Sequence, residues 1–242
     1  MTDPAIPPAQ TPPQQAGVVE DFVDIFASPA AVFARRAKAG AAVPYFVVAA
    51  LLIVLFFVNR NIMGPIMEAE MQKGIEAATK ANPQVTVEMV RKSMEVTFMV
   101  GGIVGPPLAL LVLGLIAFGV GRALGGTLSY GTALLIASFS WIPRVVESVL
   151  ASVQGLALDT TKLTSHYQLQ LGVARFLDPA STNVALLALV GRVDLITLWV
   201  TLLFALGLVH AGKVPKEKMI LAGVVMWIVG SIFPVWGAIR AG

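Results

Sequence analysis

The sequence contains apolar runs that are too long for a water-soluble fold. Residues 41–58 carry no charged side chain, and four other runs are nearly as apolar. An α-helix needs about 20 apolar residues to cross ~30 Å of hydrocarbon. Hydrophobic residues make up 57% of the chain and charged residues only 13%, against about 25% charged in soluble domains. The chain therefore has too few charges to cover a water-facing surface, and a lipid bilayer is its solvent.

The hydropathy pattern predicts an all-α membrane protein, a five-transmembrane-helix bundle with an N-terminal amphipathic helix and an extramembrane helical hairpin. The predicted membrane domain covers residues 41–242, with spans at about 41–58, 98–120, 130–149, 194–211 and 219–239. Between the first two spans, methionines recur every four residues and Asn82-Pro83 divides two amphipathic runs, which predicts the hairpin. Glycines and prolines at 101–107 predict a kink in the second span. The apolar piece at 184–190 is too short to cross, so we expect an interfacial or re-entrant segment there.

The region before the first span divides into two parts. Residues 1–17 are rich in Pro, Gln and Ala, which predicts a disordered tail. Residues 18–40 form an amphipathic segment in which Phe22, Ile25 and Phe26 share one helical face. This segment either lies along the inner membrane surface or packs against the bundle, and the sequence alone favours neither arrangement.

Basic residues predict the orientation of the bundle and its lipid contacts. Short connections on the side of the N-terminus, together with the segment before the first span, hold Arg35, Arg36, Lys38, Lys213, Lys216 and Lys218. The opposite side holds more basic residues, but most of them lie in longer loops among acidic residues. The positive-inside rule then predicts a cytoplasmic N-terminus and a C-terminus across an inner or plasma membrane. We expect these six cations to contact anionic headgroups, and their scattered placement argues against a nucleic-acid partner.

Candidate chemistry is confined to one group of intramembrane charges. The chain has no cysteine, and no nucleophile elbow, zinc-protease motif or phosphate-binding loop is present, so we predict neither an enzyme nor a cofactor or metal site. Arg144 and Glu147 can meet on one helix face, and Arg192 and Asp194 lie near the same membrane boundary. Charges within a span are expensive and often functional. This constellation is either a structural ion-pair cluster or part of an ion or proton path.

Three short motifs follow one another along the chain: F-x-S-P-x-x-x-F (Phe26, Ser28, Pro29, Phe33), Y-x-x-A-L followed by a serine and a proline (Tyr130, Ala133, Leu134, Ser138, Pro143) and D-L-x-x-L-W (Asp194, Leu195, Leu198, Trp199). In their order and spacing they resemble the Yip-one family of five-span membrane proteins, in its bacterial-type branch. The resemblance covers about residues 22–236. It implies a five-helix bundle with a cytoplasmic N-terminus and, for eukaryotic members, vesicle trafficking through Rab GTPases. The D-L-Y-G-P-type segment of those members is missing, so Rab binding is not carried over.

Three functions remain open on the sequence. The first is a non-enzymatic membrane-organising, scaffold or trafficking-like protein that acts through protein and lipid contacts. The second is a small transporter or channel that uses the polar residues of the third and fourth spans. The third is an accessory subunit of a membrane complex. The sequence names no protein partner, and a homo-oligomer is compatible with it.

Overall fold

The computed structural model describes residues 17–159 and 162–241, and the side chains up to residue 239. The predicted disordered tail lies outside the described residues, apart from Gly17. Most of the described residues are helical. The α-helices are α1 Val18–Ala27, α2 Pro29–Arg36, α3 Ala42–Ile62, α4 Gly64–Ala81, α5 Val87–Ala123, α6 Tyr130–Ser140, α7 Ile142–Ala157, α8 Val184–Val190, α9 Leu195–His210 and α10 Met219–Ala241.

Four helical stretches are long and apolar enough to cross a membrane. They cover Ala42–Ile62, Val87–Ala123, Tyr130–Ala157 and Lys216–Ile239. A fifth apolar helix, α9, has 16 residues and a length of about 24 Å at 1.5 Å per residue. The prediction of an all-α, multi-pass membrane protein is confirmed, with four stretches of span length and α9 as a shorter apolar helix among the described residues.

Helix α5 joins the extramembrane hairpin directly to the second span. Thr86 caps it by accepting a hydrogen bond from the Met89 N–H, and the helix then continues for 37 residues. The two prolines predicted to kink this span, Pro106 and Pro107, lie inside the continuous helix. The carbonyl of Pro107 accepts a hydrogen bond from the Tyr45 hydroxyl at 3.4 Å, which ties α5 to α3.

The third predicted span is two helices. Helix α6 ends at Ser140, and α7 begins at Ile142 with Pro143 in its first turn. Proline has no backbone N–H and cannot continue the hydrogen-bond ladder of a preceding helix, which accounts for the break. The helix is therefore interrupted just before Arg144.

The core lies between α6 and α9. Leu135, Ile136 and Phe139 of α6 and Leu203 and Leu208 of α9 are fully buried. At one end of the bundle, the Thr127 N–H donates to the Gly212 carbonyl (3.1 Å) and Lys218 Nζ donates to the Leu124 carbonyl (3.0 Å). We call this end, formed by residues 37–41, 124–129 and 211–218, the N-terminal face. The opposite end carries α4, the first part of α5 and α8, and we call it the hairpin face.

Helices α1 and α2 pack against the bundle. Ile25 and Phe33 are buried in the main core, and the Phe33 ring lies edge-on to the Phe139 ring with centroids 6.4 Å apart. Of the two arrangements that the sequence allows for residues 18–40, the structure has the packed one. Helix α8 lies beside α10 on the hairpin face.

Candidate functional site

The predicted polar constellation lies where α7 and α9 begin. Arg144, in the first turn of α7, donates to a Glu147 carboxylate oxygen at 2.6 Å and to the Thr197 hydroxyl of α9 at 2.7 Å. The side chains of Arg144 and Glu147 are 20% and 27% exposed, so water or headgroups reach the pair only in part. Arg144 is therefore held by partners on two different helices.

Asp194 caps α9. One carboxylate oxygen accepts the backbone N–H groups of Ile196 (2.9 Å) and Thr197 (3.0 Å), and the other accepts the Thr197 hydroxyl. An aspartate at this position satisfies N–H groups that have no partner within the helix. The hydroxyl of Thr197 accepts a hydrogen bond from Arg144 and donates one to Asp194. It therefore links the guanidinium group to the carboxylate through a shared neutral partner.

Arg192 points to a different helix. Its Nε donates to the Ser231 hydroxyl of α10 at 3.1 Å, and its carbonyl accepts from the Trp227 indole N–H at 3.1 Å. A cavity of about 230 Å³ between α7, α9 and α10 is lined by Arg144, Arg192 and Thr197, among others. The structure thus gathers the four predicted residues at one end of the bundle, with Arg192 attached to α10 and the other three linked through Thr197.

Three polar residues of this site have no distinguishing signal in the sequence. Thr197 in α9 and Trp227 and Ser231 in α10 are polar side chains scattered among apolar residues. The DLxxLW motif includes Thr197 only as an unspecified position. No local pattern indicates that Ser231 contacts Arg192, which lies 39 positions earlier.

The predicted headgroup contacts divide into two groups. Lys38, Lys213, Lys216 and Lys218 are exposed on the N-terminal face. Arg35 and Arg36 instead bind the acidic residues of α1: Arg35 Nε lies 2.7 Å from Asp21 and an Arg35 terminal nitrogen lies 2.5 Å from Asp24, while Arg36 also pairs with Asp21. Contact with anionic lipid stays a prediction for all six residues. The four lysines are the better placed for it, because they are exposed and the two arginines pair with acidic side chains.

On the hairpin face, Glu70 of α4 holds a distant loop. Its carboxylate accepts the backbone N–H of His166 at 2.9 Å, contacts His166 Nδ1 at 2.7 Å and accepts the Ser165 hydroxyl at 3.2 Å. Burial raises the pKa of Glu70, but the hydrogen bonds and the charge interaction with His166 outweigh burial and hold the pKa below its usual value. The hairpin is thereby attached to the segment that follows α7.

Comparison with known proteins gives one match. A family model described as the Yip1 domain matches residues 23–237. No curated protein and no solved structure matches the chain.

Proposed function

The chain belongs to the Yip1 domain family, and we propose that it acts as a non-enzymatic scaffold that organises a membrane through protein and lipid contacts. The match extends over nearly all of the apolar helices, and the expectation of family membership is confirmed. A multi-pass membrane protein of this kind offers two working surfaces, the lipid-facing spans and the parts that extend beyond the bilayer. The scaffold role rests on the second of these.

The observation that carries the proposal is the length and continuity of α5. Its 37 residues extend about 55 Å, of which ~30 Å suffice to cross the hydrocarbon. Residues 87–97 precede the predicted second span, so about 16 Å of the same helix extends beyond the hairpin-face membrane boundary. Because no loop interrupts the helix, the hairpin cannot swivel freely relative to the spans.

Polar contacts hold the two helices of the hairpin together. Arg91 of α5 forms two hydrogen bonds, at 3.0 and 2.9 Å, with the carboxylate of Glu68 on α4. Glu70 adds the attachment to His166 described above. A rigid arm of this kind suits a protein that positions a partner at a fixed distance from the membrane.

The hairpin also offers an adaptable surface. A cavity of about 450 Å³ beside α4 and α5 is lined by Met67, Met71, Met94 and Phe98, with Glu68, Glu70 and Glu95 among its polar neighbours. Methionine side chains are unbranched and polarisable, and they accommodate different apolar partners. This cavity is the place on the hairpin that best suits a protein contact.

The polar constellation supports the same function. Arg144, Asp194 and Arg192 each have partners on neighbouring helices or in a helix cap, as in a cluster that fixes helix positions.

One observation favours a second candidate function, a small transporter. The 230 Å³ cavity between α7, α9 and α10 is lined by two arginines and two threonines (Arg144, Arg192, Thr197 and Thr201). An accessory subunit of a larger complex would use the same hairpin surface as a scaffold.

For the orientation, we propose that the N-terminal face is cytoplasmic in an inner or plasma membrane, with the C-terminus on the opposite side. The exposed lysines of that face, Lys38, Lys213, Lys216 and Lys218, support this arrangement, since cations near a cytoplasmic leaflet are attracted by anionic lipid. Alkaline phosphatase fused after Gly242 should be active, and an inactive fusion beside a fluorescent cytoplasmic reporter would reverse the orientation.

Site-specific photocrosslinking in native membranes tests the scaffold function. A photoreactive phenylalanine analogue replaces Met71 in the cavity, and the matched control replaces Phe233, which is 69% exposed on the apolar surface of α10. We expect a discrete protein adduct at Met71, identified by mass spectrometry as a distinct partner or as a second copy of this chain, and only lipid adducts at Phe233. Lipid adducts alone at both positions would contradict the proposal.

A further inference from the structure

Helices α1 and α2 form a hairpin that runs along the bundle. At the N-terminal face, Thr132 Oγ1 lies 3.5 Å from the Ala37 carbonyl that follows α2. One turn further along, the Phe33 ring lies close to Gly207 of α9, where an added Cβ would approach it to 3.1 Å. At the far end, the Phe26 ring packs edge-on against the Trp199 ring with centroids 5.2 Å apart. The turn between the helices therefore lies far from the N-terminal face.

The position of Trp199 gives the depth of this turn. Trp199 lies eleven residues before His210, the end of α9 at the N-terminal face (210 − 199 = 11). At 1.5 Å per residue the separation is about 16 Å, roughly half of the ~30 Å hydrocarbon thickness. Since α9 is itself shorter than the hydrocarbon is thick, any placement of α9 across the bilayer puts Trp199 among acyl chains.

Beyond Glu20 in its first turn, the outward face of α1 is apolar. Val19 is 80% exposed and Val23 69%, and Phe26 lies on the same face one turn further along, 41% exposed. The opposite face of α1 packs on the bundle through Ile25, which is 1% exposed. On the neighbouring α9, Leu198 and Leu202 are exposed in the same way. The outer surface of the hairpin thus continues the exposed apolar surface of α9, the fourth predicted span.

Four of the five charged groups of the hairpin balance one another; the fifth, Glu20, is exposed in the first turn of α1. Two carboxylates, Asp21 and Asp24, pair with two guanidinium groups, Arg35 and Arg36, so their formal charges cancel. Asp21 has an exposed side-chain fraction of 0%. Charges within a membrane are tolerated when they pair with one another. This cluster meets that condition at the inner side of the hairpin.

The turn at the tip also fits a lipid environment. The Ser28 N–H donates to the Asp24 carbonyl at 2.7 Å, and the next residue, Pro29, has no N–H to satisfy. The Ser28 carbonyl in turn accepts the N–H groups of Ala31 and Val32. Backbone groups at membrane depth must find partners within the protein, and these groups do.

We propose that α1 and α2 form a re-entrant hairpin, which enters the bilayer at the N-terminal face and turns back near its midplane at Ser28-Pro29. Lipid covers the outward side of this hairpin, where acyl chains of the N-terminal-face leaflet contact Val19, Val23 and Phe26. The inference concerns membrane insertion and does not depend on the scaffold function.

Depth-resolved fluorescence quenching tests this arrangement, and the absence of cysteine from the sequence makes single-cysteine labelling direct. Val19→Cys, Val23→Cys and Phe26→Cys variants of the full chain are labelled with an environment-sensitive fluorophore and reconstituted in vesicles that contain lipids with nitroxides at acyl carbon 5 or 12. Lys213→Cys, exposed in the N-terminal face, serves as the shallow reference, and Leu198→Cys of α9 serves as the deep one. Ala27→Cys, exposed beside the tip, replaces Phe26→Cys should loss of the ring contact impair folding.

We expect the ratio of carbon-12 to carbon-5 quenching to rise from Val19 through Val23 to Phe26, and the Phe26 or Ala27 ratio to match that of Leu198. Equal, shallow ratios at all three positions, like that of Lys213, would overturn the proposal in favour of a helix lying on the membrane surface. Strong quenching by aqueous iodide at Phe26 or Ala27 would overturn it as well, because a tip at the midplane is out of reach of the ion.

Discussion

The guanidinium group of Arg144 donates a hydrogen bond to the hydroxyl of Thr197 at 2.7 Å, which joins the start of α7 to the start of α9. Thr197 is 1% exposed, and its hydroxyl also donates to the helix cap Asp194. A single buried hydroxyl therefore connects a cation on one helix to an anion on another. The loss of this hydroxyl would leave Arg144 without its partner on α9.

Thr197→Val should lower the stability of the bundle. A buried donor or acceptor without its partner costs about 1–3 kcal/mol, and the charged Arg144 places this site in the upper part of that range. Thr201→Val is the matched control, because the Thr201 hydroxyl donates only to the Thr197 carbonyl one turn earlier in α9. Thermal unfolding in detergent should show a clearly lower Tm for Thr197→Val than for Thr201→Val. Equal Tm values would show that the link between α7 and α9 adds no stability.

Asp21→Asn should destabilise the packing of α1 and α2. Asp21 is the common partner of Arg35 and Arg36, and because both guanidinium groups are partly exposed, its loss should cost less than the ~3–5 kcal/mol of a fully buried pair. Glu20→Gln, at an exposed position one residue earlier, should leave unfolding nearly unchanged. Limited proteolysis after residue 36 reports release of the segment. Identical proteolysis of both variants would contradict the role of Asp21.

Gly102→Ala and Gly101→Ala should behave differently although they are neighbours in α5. A Cβ at Gly102 would lie 2.2 Å from the Phe56 ring of α3, whereas a Cβ at Gly101 meets nothing within 4 Å. Gly101→Ala should be neutral or stabilising by up to about 1 kcal/mol, the helix propensity of alanine over glycine. Gly102→Ala should lower the Tm, and Phe56→Leu should restore part of the loss. A neutral Gly102→Ala would show that α3 and α5 do not approach closely at this position.

The Glu70 contact should make the hairpin attachment sensitive to acid. Because the pKa of Glu70 lies below its usual value in the folded protein, the ionised form stabilises the fold. This contribution is complete above the ordinary carboxyl pKa of about 4.5 and is lost as the pH falls through the lower folded pKa. The Tm difference between the unaltered protein and Glu70→Gln, measured from pH 6 to pH 3, should shrink towards zero at the acid end. A difference that stays constant over this range would contradict an ionised Glu70 in the contact.

The local parts of this architecture were predictable from the sequence because their causes are local. Apolar run length identifies the spans, Thr86 marks the start of α5, and Asn82-Pro83 marks the turn of the extramembrane hairpin. The DLxxLW motif begins with the cap of α9. The break between α6 and α7 at Pro143 follows from the chemistry of proline, although residues 130–149 are uniform enough in hydropathy to predict one span.

The contacts between distant segments were not predictable in this way. Glu70 meets His166 across 96 residues, and Arg192 meets Ser231 across 39. Hydrophobic periodicity assigns each residue to a face of its own helix but does not say which helix that face meets. The packing of α1 and α2 against the bundle was also not predictable, because an amphipathic helix can bury its apolar face either in lipid or in protein.

On the scaffold proposal this protein works through contacts, and Arg144 and Glu147 are structural partners and not part of a conduction path. Flux into proteoliposomes tests it most directly: pyranine fluorescence reports proton entry and light scattering reports small solutes, for the unaltered chain, Arg144→Ala and Glu147→Ala. We expect the flux of all three proteins to equal that of protein-free vesicles. Robust flux through the unaltered chain that either substitution abolishes would contradict it and establish the transporter.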